Sequence, residues 1–240
     1  MRSTFLIMRR ELAAYLRSMS GYIIAAIFLL VVGGLFNVRA MAGEKLSSEV
    51  LSVFFNDTSG VVMVASVLIS MRLFAEERQT GTLVLLASSP VHDWEIVIGK
   101  FLSALVFLAM ILAATVFMPL LIFVNGKISF GHMAAGYIGL VLLGSAALAI
   151  GTFGSSLART QVLAAIFSGA MVVSMVIAWL LAKVTEAPLN DMFTALSLHG
   201  RHFPPFQAGT IHLRDVGYYL MVTYIALFSA TRVMEARRWR

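Results

Sequence analysis

From Ser18 to Val38 the chain carries no charged side chain. A helix crossing about 30 Å of hydrocarbon at about 1.5 Å per residue needs roughly 20 apolar residues, so this one run is long enough to span a bilayer. The pattern recurs. Low-charge intervals at Thr58–Phe74, Phe101–Gly126, Ile128–Ala158, Thr160–Ala182 and Val216–Thr231 raise the expected number of spans to six. The second holds Arg72 near its end, and the sixth is short. Of the 240 residues 60% are hydrophobic and only 12% charged, where a soluble domain is about 45–50% apolar and about 25% charged. Too little polar surface remains to cover a globule, which makes lipid the expected solvent.

The charges that remain are patterned. Net charge is +6. With both termini inside, twelve Lys and Arg residues fall on the cytoplasmic side. Arg39, Lys45, Lys127, Lys183, Arg201 and Arg214 fall outside. That asymmetry and an even number of spans favour cytoplasmic N- and C-termini, and no nucleic-acid partner is needed to explain the basic balance. Residues 1–19 are too charged to span, and Arg9, Arg10 and Glu11 break the apolar core that a signal peptide needs. Phe5, Met8, Leu12, Tyr15/Leu16 and Met19 recur at helical spacing while Arg2, Arg9, Arg10 and Arg17 avoid that stripe. The pattern predicts an amphipathic helix lying in the cytoplasmic interface.

Several chemistries lack their residues. The chain has no cysteine, which removes disulfides, thiolate zinc sites and cysteine nucleophiles together. There is no G-x-x-x-x-G-K-[ST], H-E-x-x-H or G-x-S-x-G. No acidic residue falls well inside a predicted span, so an intramembrane aspartyl protease or proton relay has no obvious groups. His199, His202 and His212 share the outer loop at spacings that match no zinc pattern. The sequence therefore predicts no catalytic, cofactor-binding or metal-binding residue. Arg72 has two readings: it snorkels to the cytoplasmic interface, or it lines a polar pathway or pairs with Glu76 one helical turn on. Ala147, Gly151 and Ser155, at spacing four, suit either close helix packing or a lipid-facing surface. Pro119 is placed to kink the third span.

The most informative stretch is "EERQTGTL", residues 76–83, a charged clause between apolar runs. Thr80 or Thr82 can cap a short helix. Leu83 to Ala87 is apolar, and Ser89-Pro90 stops that helix and starts the next. The result is a cytoplasmic helix–turn–helix whose Leu-rich tip needs either a partner or the membrane surface to cover it.

"FAEERQTGTLVLLASSPVHDWEIVIGKF" resembles the intracellular loop of ABC-2 type permeases, the membrane subunits of type 2 ABC transporters. The matching residues are Glu76, Glu77, Gly81, Thr82, Leu85, Leu86, Ser89, Pro90, Gly99 and Lys100. "HFPPFQAGTIHLRDVGYYL" is similar to the outer loop of permeases associated with gliding motility and with nitrous-oxide-reductase maturation. It departs from them at Ala208 and His212, so no substrate follows. The resemblance implies a single all-α membrane domain over residues 1–240. That domain has six transmembrane helices, an interfacial N-terminal helix (1–19), a cytoplasmic coupling loop (76–100) and an outer re-entrant helical loop (183–215). It implies a non-catalytic permease, an exporter in a bacterial inner membrane, paired with an identical or homologous permease and driven by two ATPase subunits that hold the ATP. Periplasmic or accessory subunits are compatible with it. The alternative within the same fold is a mechanotransmission subunit that drives an envelope partner; an ATPase-linked flux assay separates the two.

Overall fold

The computed structural model describes residues 2–41, 46–81, 91–122, 129–186 and 189–238, and no strand occurs among them. A first helix, α1 (Arg2–Arg17), is followed at Ser18 by α2 (Met19–Leu35), whose N-cap Ser18 accepts from the Gly21 amide at 3.2 Å. A π-turn, Phe36–Ala40, extends α2. Then come α3 (Ser47–Ser70), α4 (Arg72–Gln79), α5 (Asp93–Ala114), α6 (Phe117–Leu121), α7 (Phe130–Leu157) and α8 (Gln161–Val184). Two short helices, α9 (Leu189–Leu196) and α10 (Pro204–Gln207), precede α11 (Leu213–Arg238). Six stretches are long and apolar enough to cross a membrane, formed by α2 with its π-turn, α3–α4, α5–α6, α7, α8 and α11.

Contacts fix their directions. Tyr15 at the end of α1, just before α2, meets Ile69 near the end of α3, and Arg39 in the π-turn that extends α2 meets Asp57 in α3. Lys100 early in α5 reaches Glu77. Ser155 late in α7 meets Met71, while Ser168 early in α8 meets Gly151. Ser145 and Thr223 pair α7 with α11. The six stretches therefore alternate in direction, and α1 and the end of α11 lie at one end of the bundle, here the near end. At the centre stands α7, with 67% of its most apolar part buried against 22% for α2 and for α8. Its small residues permit this. A Cβ on Gly151 would meet Ser70 Oγ at 1.9 Å and Ser70 Cβ at 2.6 Å. The stripe through Gly151 and Ser155 is thus a packing surface.

The bounds of two expected spans change. The second span begins at Ser47, well before Thr58, because its polar residues are satisfied within the bundle. Asp57 takes Arg39 at 2.6 Å and Asn56 takes the Gln207 amide at 3.0 Å. An acidic residue thus does sit inside a membrane-capable helix. The third span is broken before Pro119, at Thr115–Val116, because the proline ring excludes the carbonyl of residue 115 from a helical ladder. The sixth is not short but runs to Arg238. On α1 the face turned to α5 is Thr4, Ile7, Glu11 and Tyr15, whereas Phe5 and Leu16, with Met19 at the start of α2, are exposed.

Candidate functional site

The charged clause begins on α4, and α4 is held unusually firmly for a helix of two turns. The helix that starts at Ser47 is interrupted at Met71, where Ser155 of α7 enters its ladder. Ser155 Oγ donates to the Met71 carbonyl at 3.1 Å and accepts from the amides of Phe74 and Ala75 at 3.1 and 3.3 Å. A side chain inserted into the i→i−4 ladder is a standard cause of such a break. Further along, the Arg78 guanidinium donates to the carbonyls of Ser156 (2.8 Å), Leu157 and Ala158. These are carbonyls that the end of α7 leaves without helical partners, and a cation there also suits the helix dipole. Gly81 ends α4 at φ +75, the left-handed conformation that glycine adopts freely.

Beside α4 the start of α5 contributes two adjacent residues with different tasks. A Cβ on Gly99 would lie 3.0 Å from Ile7 Cβ and from the Thr4 carbonyl, so its bareness lets α1 lie against α5. Lys100, 1% exposed, points under Phe74, with its ammonium 5.6 Å from the ring centroid. It pairs with Glu77 at 2.8 Å and Glu11 at 3.3 Å. Arg10 closes the cluster, 2.7 Å from Glu11 and 3.4 Å from Glu77. Acids and bases from α1, α4 and α5 thus meet in one cluster, with Lys100 buried, Glu11 and Glu77 half-buried and Arg10 exposed at its rim. Burial alone would raise the Glu11 carboxyl, but Lys100 and Arg10 outweigh it and hold it below the ordinary 4.5. Its contribution to folding is therefore complete above the usual carboxylate range and is lost as pH falls through the depressed value.

Arg72 ties the same region to the α1–α2 corner. It meets Glu76 at 2.8 Å, donates to Ser18 Oγ at 3.1 Å and to Ser20 Oγ, and lies 5.0 Å over the Tyr15 ring. Of its two sequence readings, the pairing with Glu76 is present. Tyr15 is sandwiched between Arg72 and a stacked Phe107 at 5.0 Å, and its hydroxyl donates to the Ile69 carbonyl at 2.9 Å. Burial pushes this phenol up against the pull of Arg72. A cavity of about 200 Å³ opens between Glu11, Tyr15, Arg72, Glu76, Glu77 and Lys100.

Of the residues singled out from sequence, Arg72, Glu76, Glu77 and Lys100 line this cavity, while Gly81 ends α4 and Gly99 packs α5 on α1. Thr82, Leu85, Leu86, Ser89 and Pro90 lie outside the described residues. Sequence reasoning missed Glu11, Arg10, Tyr15, Arg78 and Ser155 as partners. Glu11 and Tyr15 left one usable signal, because four residues apart they share a helix face. The far end holds a second polar layer. His202 Nδ1 pairs with Asp215 at 2.7 Å and stacks on Tyr218, while His199 Nε2 lies 2.7 Å from Ser59 Oγ. Among the described residues the outer-loop histidines form no shared metal-ligand group.

None of the curated proteins compared with this chain matches it. The family model of the ABC-2 family transporter proteins matches residues 5–230, from within α1 to within α11. The clause, its anchoring on α4 and α5 and the six membrane-capable helices fall within that match, and the chain belongs to the ABC-2 family, the membrane permease component of ABC transporters.

Proposed function

We propose that this chain is the permease of an ABC exporter and that residues 76–90 form the handle by which a separate ATPase subunit grips it. Two permeases, identical or homologous, would work with two ATPase subunits. The near end of the bundle, with α1, α4 and the end of α11, would face the cytoplasm of a bacterium, and α1 would lie in that interface. The observation that carries this reading is the anchoring of α4. A handle must pass force, so the helix leading into it must be fixed to the spans. Ser155, Arg78, Lys100 and Arg72 fix α4 to α7, α5 and the α1–α2 corner.

ATP-driven closure of the ATPases would then displace the handle and shift the spans between two states. A motor can bias such an equilibrium only through contacts that differ between the states. The natural lack of cysteine provides the test. A single cysteine at Thr82 carrying a short photo-crosslinker should join the permease to its ATPase in the intact complex. A cysteine at Arg201, at the far end, should not. Crosslinking from Arg201 but not from Thr82 would contradict the proposal.

A further inference from the structure

The buried ion cluster has a property that the docking reading does not require. Lys100 is not on the outer surface: it is 1% exposed and lies against the Phe74 ring at the wall of the cavity. Its ammonium touches carboxylates from both α4 and α1, as the exposed Arg10 also does, but its own backbone belongs to α5, so it joins three helices. A lysine stem is flexible, and an ammonium is a point charge that keeps its pairing through small shifts of geometry. A purely apolar contact at this place would tolerate sliding of α4 past α5. An ion cluster of low exposure resists it, because separating the partners leaves charges buried and unpaired.

We propose that Lys100 is a positioning residue for transmission. It locks the handle helix α4 to the third span and to α1, so that displacement of the handle moves all three as one body. This rests on the docking role proposed above for residues 76–90. The cluster carries the movement without holding the ATPase. Loss of Lys100 should therefore separate two quantities that a docking residue changes together, the affinity for the ATPase and the permease-dependent turnover.

The experiment uses the full permease–ATPase complex in lipid vesicles with Lys100→Met, Glu77→Gln and the Lys100→Met/Glu77→Gln pair. Lys100→Met leaves Glu77 short of a partner and is expected to lower the thermal midpoint. The pair removes both charges and should recover midpoint and assembly. Both should bind the ATPase within about threefold of the parent, while permease-stimulated turnover at saturating ATPase falls by about five- to tenfold, the size of an ordinary coupling between sites. Normal stimulated turnover in the assembled pair overturns the proposal, since the cluster would then serve stability alone. So does a pair that fails to assemble, because the charges would then serve folding. Weaker ATPase affinity in an assembled variant also overturns it. The Thr82 crosslink is read in the same samples. If it is absent in the parent, the docking reading itself has failed; if it persists in the variants while turnover falls, docking stands and transmission is what has been lost.

Discussion

At the scale of single residues, absent atoms matter as much as present ones. A methyl group at Gly151 would overlap both Oγ and Cβ of Ser70, which a serine rotation alone cannot relieve. Gly151→Ala should cost about 1–3 kcal/mol, as overpacking usually does, whereas Gly34→Ala meets nothing within 4 Å. Thermal midpoints of the two variants in detergent check this: the first should drop and the second stay near the parent. His199 gives a pH prediction. Ser59 donates its one hydroxyl hydrogen to the Asn56 carbonyl at 2.6 Å, so His199 Nε2 is the donor to Ser59 Oγ. Burial lowers this imidazole from its ordinary 6.5. A folded pKa below the unfolded one means that the stabilisation is complete above 6.5 and is lost as pH falls below it. Protection from hydrogen exchange at residues 197–203, relative to the intrinsic rate at each pH, should fall on going to acid in the parent and fall less in His199→Gln, which keeps a donor for Ser59. Such pairings were not legible in the sequence, because a charge or an imidazole does not announce a partner far along the chain. Lys100 could be read as motif but not as the partner of Glu11, which sits on another helix.

At the scale of elements, what was legible was the existence of each apolar helix, and what was not was where each one ends. Length and the absence of charge reveal a span. Its ends depend on which polar residues find partners. Asp57 and Asn56 lengthen the second helix through Arg39 and Gln207. Pro119 breaks the third at a distance of one turn, which the backbone rule does foretell. On α1 the apolar period is legible in the sequence, but the side that packs on α5 is not. The apolar stripe from Phe5 to Met19 was visible, yet the side against α5 includes Glu11, whose charge is neutralised there. Two variants separate the faces. Gly99→Val would press on Ile7 and the Thr4 carbonyl and should free α1 for limited proteolysis at its arginines. Leu16→Glu, on an exposed position, should leave α1 docked and reduce only its retention by lipid. Equal proteolysis of the two variants would contradict this assignment of faces.

At the scale of the whole molecule, the alternating directions put α1, α4 and the end of α11 together, and the proposed function makes that end cytoplasmic. A cysteine at Gln79 should react with an impermeant thiol reagent only after the cells are opened, and a cysteine at Arg201 should react in intact cells; the reverse would invert the topology. Residues 76–90 are the proposed handle. Leu85→Arg measures it most directly, because the tip should lie outside the bilayer and an arginine there need not disturb insertion. An unpaired charge pressed into an apolar groove is costly, so co-purified ATPase should fall at least about tenfold, or ~1.4 kcal/mol. Permease-stimulated turnover should fall with it while expression and membrane insertion stay normal. Unchanged ATPase association and turnover in a normally expressed Leu85→Arg permease would contradict the account.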